Sequence, residues 1–366
     1  MTNKKRRLLI LGPYSSDLDF DYFSWLKEIR LQKDYEIFLV VGLEYEGTLT
    51  SLELSMNYFF PRSRFDWATI RKLMLLCTTH QIDLVFCGNN KWLSNAFFAL
   101  LFSRNQATKL IVRRGISERL RPWRLEDLIS YYNSRLSYVV CLSKAVQDEL
   151  LKSLFFNKKN GVCYPCLDIV RTSIQSLDMN RVIKKFDPNF DGITILTIAN
   201  SRYIKGIDRA IDAARLLAIR NHRFRWIIVG NGTDQESILN KYKSVPKQIL
   251  GLGYVGNAEI LLDLTDIYVQ PSRNEGLGLA AVNAAMHGIP CIFTKVGGLV
   301  EILPNEFDAF VDNIDDVYPN ELCLKLEALI ASPELRRKWG ERCSEFSRSK
   351  FQDSGCLAST ITKIIN

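Results

Sequence analysis

The stretch NEGLGLAAVNAAMHGIP, Asn274–Pro290, passes from an acid-glycine bend into a helix of small residues. Just ahead of it, DIYVQPS, Asp266–Ser272, reads as a short buried strand closed by a proline. A buried strand leading directly into a helix is half of a parallel strand–helix–strand unit. The same alternation extends in both directions. After Asp191-Gly192 the apolar spacing predicts strands at Ile193–Ile198, Trp226–Val229, Ile267–Gln270 and Cys291–Thr294. Helices are predicted at Ile207–Arg220, Asp234–Tyr242, Gly278–His287 and Asn320–Ala331. An earlier series predicts strands at Leu8–Leu11, Glu36–Val41, Asp83–Cys87, Lys109–Val112 and Tyr138–Leu142. Its helices are predicted at Phe20–Leu31, Trp67–Thr78, Leu93–Phe102 and Ala145–Ser153. Between the series, FFNKKNGVCYPCLD, Phe155–Asp168, is polar, contains Gly and Pro, and reads as a crossover linker. The fold class is therefore α/β, with two doubly wound Rossmann-like domains facing a central cleft. The boundaries are 1–165 for the N-terminal domain, 166–190 for the linker, 191–348 for the C-terminal domain and 349–366 for a last helix.

Composition bounds the function classes. At 366 residues and 47% apolar, the chain can bury two ordinary cores. The net charge of +8 is uneven. Up to position 170 there are 24 basic and 17 acidic residues, and afterwards 24 and 23, so the first half carries +7 and the second +1. That asymmetry points the first domain towards an anionic partner, including the inner face of a membrane met by the basic start MTNKKRRLLILG. The apolar run after that start is too short for a signal core, and no run is long enough to span a bilayer. Nine scattered cysteines read as reduced thiols in the cytoplasm. Cys163-Tyr-Pro-Cys166 lacks the second pair of a zinc site and the strand-to-helix setting of a redox dithiol. Asp17–Asp21, DLDFD, lacks the glycine and the closing glutamate of a calcium loop, and the reading includes no metal.

Three loops carry chemistry. In the opening stretch, Gly276 and Gly278 let backbone approach a ligand, and the helix start adds partial positive charge. Glu275 can accept from sugar hydroxyls, and a plain helix cap explains the glycines equally well. In ANSRYIKGID, Ala199–Asp208, Arg202 and Lys205 follow a strand and precede a helix, which suits a diphosphate clamp. In IIVGNGTDQESI, Ile227–Ile238, Gly230 and Asn231 form a turn that fails as a dinucleotide fingerprint but can pass under a nucleotide base. Tyr254 or Val255, in LGYVGN, can contact that base.

In this order and spacing the motifs resemble those of the family-4 retaining glycosyltransferases of GT-B fold, most specifically over Ile193–Leu303. The resemblance implies a nucleotide-diphosphate sugar as donor substrate, no tightly bound cofactor, and a glycan or lipid-linked glycan as acceptor. It assigns the diphosphate to Arg202 and Lys205. It assigns the donor sugar and phosphate to the turn Glu275, Gly276, Leu277, Gly278 and Leu279. It also implies an acceptor-side first domain, closed by CLSKAVQDEL, Cys141–Leu150, and a last helix near Ser354–Ile365 that crosses back onto it.

Two departures stand out. Where the family has a second glutamate for the ribose hydroxyls, this chain has Asn283, at an expected cost of about 1–2 kcal/mol in donor binding. In the first domain Ser15 and Ser16 replace a glycine pair, and Arg114, beside Arg113, stands where a histidine is common. Arg114 can hold an anion but cannot be a general base. His80, His222 and His287 all read as structural. The loop RRGISERLRPWR, Arg113–Arg124, fits a phosphorylated or acidic glycan better than nucleic acid. A catalytically weak sugar-nucleotide-binding partner protein and a sugar-nucleotide epimerase are the alternatives.

Overall fold

The computed structural model describes residues 5–12, 35–41, 55–103, 107–165, 190–256, 258–304 and 306–352. These form two compact units divided between positions 167 and 168.

The first unit runs β1 (Arg6–Leu11), β2 (Tyr35–Val41), β3 (Ser55–Tyr58), α1 (Trp67–Thr79), β4 (Leu84–Cys87) and α2 (Asn90–Phe102). It continues through β5 (Lys109–Arg114), α3 (Leu125–Tyr131), β6 (Leu136–Cys141), α4 (Lys144–Leu151) and β7 (Lys159–Val162). Its 7-stranded sheet has the order β3-β2-β1-β4-β5-β6-β7. All pairs are parallel. Central strands such as LLIL of β1 are buried on both faces, which is why they read as unbroken apolar runs. Trp92, fully buried at the start of α2, donates its indole N–H to the Gly12 carbonyl at 2.6 Å and so pins the helix beneath the end of β1.

The second unit runs β8 (Ile193–Ile198), α5 (Ile207–Ile219), β9 (Phe224–Val229), α6 (Gln235–Lys241), β10 (Ile249–Gly253), β11 (Ile267–Gln270) and α7 (Leu279–Met286). It ends with β12 (Cys291–Thr294), β13 (Phe310–Val311), α8 (Tyr318–Ala331) and α9 (Pro333–Phe351). The 6-stranded sheet, order β10-β9-β8-β11-β12-β13, is also parallel throughout. Strand order reverses between β8 and β11, so loops leaving their carboxyl ends diverge and open a crevice. Ile195, Trp226, Ile228 and Val269 fill the core under α5 and α8.

Two sequence expectations need correction. Residues 159–162, placed in a polar crossover, form the edge strand β7, with Tyr138 paired to Lys159. An edge strand needs no apolar alternation, and Gly161 fits because a Cβ there would meet the Tyr138 hydroxyl at 2.3 Å. The expected boundary at 348 falls inside α9. That helix has a well-formed start: Ser332 Oγ accepts from the Leu335 N–H at 3.1 Å, and Pro333 sits in the first turn. It buries only a narrow stripe, Gly340, Cys343, Ser347 and Phe351, so its charged surface hid it. The predicted helix Phe20–Leu31, most of the linker and the last helix lie outside the described residues.

Candidate functional site

Parallel strands place the predicted donor residues at one sheet edge. Arg202 and Lys205 follow β8, Gly230 and Asn231 follow β9, Tyr254 and Val255 follow β10, and Glu275 follows β11. These are four neighbouring strands in the order β10-β9-β8-β11. The loops are tied to one another. Gly230 N–H donates to the Gly253 carbonyl at 2.8 Å, and Ser201 N–H to the Asn231 carbonyl at 2.9 Å. Gly230 is required, since a Cβ there would lie 2.3 Å from the Ala199 carbonyl oxygen.

At the strand reversal, Lys205 Nζ meets both Glu275 carboxylate oxygens, at 2.9 and 2.7 Å. The two side chains keep only 17% and 12% of their exposure, so the attraction is weakly screened by water. A buried relay stands behind the acid. Tyr268 OH donates to Gln270 Oε1 at 2.7 Å, Gln270 Nε2 to Ser272 Oγ at 3.0 Å, and Ser272 Oγ to Glu275 Oε2 at 3.1 Å. Burial pushes the Tyr268 phenol well above its ordinary pKa, which keeps it a neutral donor. Arg202 is exposed, and its Nε rests on Asn200 Oδ1 at 3.1 Å. Among the described residues it has no carboxylate partner.

The loop that carries these cations is held by Arg273, which sequence reasoning missed. Its guanidinium forks onto Asp208 at 2.8 and 2.6 Å, reaches Asp315 at 2.9 Å and lies over the Tyr203 ring at 4.0 Å. Those hydrogen bonds, chiefly to Asp208, hold its pKa above the usual arginine value. Arg273 N–H also donates to the Ile204 carbonyl at 2.7 Å. Gly206, with φ of 69°, closes the turn where a Cβ would meet the Pro271 carbonyl oxygen at 1.9 Å. Arg273 adjoins the acid-glycine bend in sequence, but its partners lie far away, so no local spacing marks it.

The bend itself rests on a second glycine pair that sequence reasoning also passed over. Gly298 N–H donates to the Glu275 carbonyl at 3.2 Å. Cβ atoms on Gly297 and Gly298 would lie 1.9 Å from the Glu275 oxygen and 2.2 Å from the Gly276 oxygen. Consecutive glycines after β12 were the available signal. Gly278, at φ 89°, precedes α7 without a side-chain cap, which leaves the N–H groups of the first turn for a ligand. Leu277 is buried as packing, and Leu279 opens the helix. Asn283 is half-buried on α7, and its side chain makes no hydrogen bond among the described residues.

In the first unit, alternation along β5 turns Arg114 inward, 4% exposed, over the Tyr131 ring at 4.9 Å. One Nη donates to the Glu118 carbonyl. Arg113, its half-buried neighbour, faces the other way. Ser15 and Ser16 lie outside the described residues. Each histidine has a neighbour within the fold: His287 Nδ1 meets the Asn283 carbonyl at 2.8 Å, His222 pairs with Glu327 at 2.8 Å, and the His80 ring lies 4.4 Å from that of Phe38.

Comparison with known proteins bears on this geometry. Residues 178–346 match the family described as glycosyl transferases group 1. The chain is 26% identical over 250 residues to the phosphatidylinositol N-acetylglucosaminyltransferase gpi3 subunit of Schizosaccharomyces pombe, covering 65% of this chain and 53% of that one. It is 27% identical over 141 residues to the O-antigen biosynthesis glycosyltransferase WclY of Escherichia coli, covering 38% of each. The chain thus spans about half the length, or less, of these curated relatives. A crystal structure of Anabaena HepE in complex with UDP and glucose superposes with a TM-score of 0.74 at 17% identity, over 98% of both chains. The fold is that of GT-B glycosyltransferases, two parallel-sheet Rossmann-like domains.

Proposed function

We propose that this chain is a retaining hexosyltransferase that moves a sugar from a nucleotide-diphosphate donor to a glycan or lipid-linked glycan hydroxyl. Its setting is cell-surface polysaccharide or lipopolysaccharide synthesis on the cytoplasmic side, with the acceptor presented at an anionic membrane surface. The observation that carries this reading is the Lys205–Glu275 pair at the strand reversal of the second unit. Before a diphosphate arrives, each ion neutralises the other. An incoming diphosphate competes for Lys205, and Arg202 supplies a second cation with no carboxylate to give up. Glu275 is then released to accept from sugar hydroxyls, still aimed by Ser272.

Charge growing on the departing diphosphate is met by Arg202, Lys205 and the open helix start at Gly278, without a tightly held metal or other cofactor. The acceptor hydroxyl forms its bond to the anomeric carbon on the face the diphosphate leaves. Its proton passes to a leaving phosphate oxygen. No side-chain base is required, which accords with three histidines committed to structural contacts. The base lies by Tyr254 or Val255 and above Gly230-Asn231. Arg113 and the basic first domain bind the acceptor.

Nucleotide sugars labelled in the sugar, incubated with lipid-linked glycan acceptors, test the reading through the anomeric proton coupling of the product. The donor's configuration is expected in the product, and an inverted linkage contradicts retention. Donor binding with neither transfer nor hydrolysis makes the chain a binding partner instead, the role that Asn283 favours.

A further inference from the structure

The outer face of α1 and the end of α2 carry an aromatic cluster that the donor site does not use. Trp67 and Phe102 meet edge to face at 5.4 Å, Phe65 and Phe98 at 4.9 Å, and Phe98 stacks on Phe102 at 5.9 Å. Despite this packing, Phe65 is 51% exposed, Trp67 50%, Phe102 42% and Leu75 67%. Trp67, Arg71 and Leu75 are four residues apart on one stripe of α1. Contiguous aromatic exposure on this scale marks an interaction surface.

The charge around it is mainly positive, and Glu126 is paired with Arg64, next to Phe65, at 3.0 Å. Arg62, Arg71 and Lys72 are exposed, and neither α1 nor α2 contains an Asp or Glu. The adjoining carboxylate, Asp66, is consumed by capping α1: it accepts from Arg62 N–H at 3.0 Å, Ala68 N–H at 3.2 Å and Thr69 Oγ1 at 3.0 Å. A second copy docked face to face would set these cations against themselves. An anionic bilayer is complementary in both respects. Its headgroups take the cations, and its interface takes rings that are apolar in body, with the Trp67 indole N–H left wet.

We propose that this face seats the first unit on an anionic lipid surface, with Trp67, Phe65 and Phe102 entering the interface and Arg62, Arg71 and Lys72 meeting lipid phosphates. The proposal rests on the reading of a membrane-presented acceptor and names where the membrane binds. Its test needs neither donor nor turnover, so its failure leaves glycosyl transfer standing.

The full chain is sedimented with vesicles of phosphatidylcholine alone and of phosphatidylcholine mixed with phosphatidylglycerol. Binding to the mixed vesicles alone, weakened by salt, is expected. Replacing Arg62, Arg71 and Lys72 together by Gln is expected to lower partitioning by about 100-fold, about five-fold per cation. Trp67→Ser with Phe102→Ser is expected to lower it by on the order of ten-fold. The Gln variant changes only exposed residues and keeps the proposal under test if the double variant fails to fold. No sedimentation with the mixed vesicles, or equal sedimentation of wild type and the Gln variant, overturns the proposal. So does a concentration-dependent dimer of wild type, lost in the Gln or Ser variant, without vesicle binding.

Discussion

Lys205 and Glu275 come from loops 70 residues apart, yet each satisfies the other at 2.7 Å. Removing either leaves a charge with little water around it, so both substitutions act on stability as well as chemistry. Lys205→Ala is expected to lower kcat by about 10²- to 10³-fold, the usual effect of losing one stabilising donor, in an assay of nucleoside diphosphate release. Ser272→Ala is a subtler probe because it leaves both ions in place. It removes the hydroxyl that joins Gln270 to Glu275 and is expected to lower stability by about 1 kcal/mol, read as a fall in Tm. An unchanged Tm and rate contradict the relay. The placement of Arg202, Lys205 and Glu275 beyond strand ends was legible in the sequence because cations and an acid beside glycines at strand ends form a local pattern. Their pairing was not, and Ser272 and Arg273 were not, because their roles depend on partners that only the folded chain brings near. The burial of Arg114 was not legible for a related reason: a strand residue's facing depends on register, and arginine beside arginine gives no alternation to read.

At the scale of elements, the site depends on turns that only glycine can make. Gly206 and Gly297 both hold positive φ, and a Cβ on either would lie 1.9 Å from a backbone oxygen. Gly206→Ala and Gly297→Ala are each expected to lower stability by at least about 1–3 kcal/mol in urea unfolding, and to displace Lys205 or Glu275. Asp66 offers a pH test at the start of α1. The Arg62 N–H and other donors hold its carboxyl below the ordinary 3.8. A depressed folded pKa gives stability that is present above the unfolded value and lost as pH falls through the folded one. Stability is therefore expected to fall below about pH 4, and Asp66→Ala, at a cost of about 1 kcal/mol at neutral pH, is expected to flatten that part of the profile. Buried parallel strands were plain in the sequence because they are apolar on both faces. Edge strand β7 and charged helix α9 were not, because each buries too little to leave a pattern.

At the scale of the whole molecule, one sheet edge of the second unit gathers donor-binding candidates from four strands, while the first half of the chain carries most of the net positive charge. Whatever binds the native second unit raises the stability of that unit by mass action, by about 2.7 kcal/mol at 100 times Kd. Thermal unfolding with UDP, GDP or ADP, compared between wild type, Lys205→Ala and a surface control, Arg121→Ala, therefore tests the diphosphate grip most directly. The account predicts that at least one of these nucleotides raises the Tm of wild type and of the control, and that the rise is largely lost in Lys205→Ala. No rise with any of them, or an equal rise in Lys205→Ala, contradicts it.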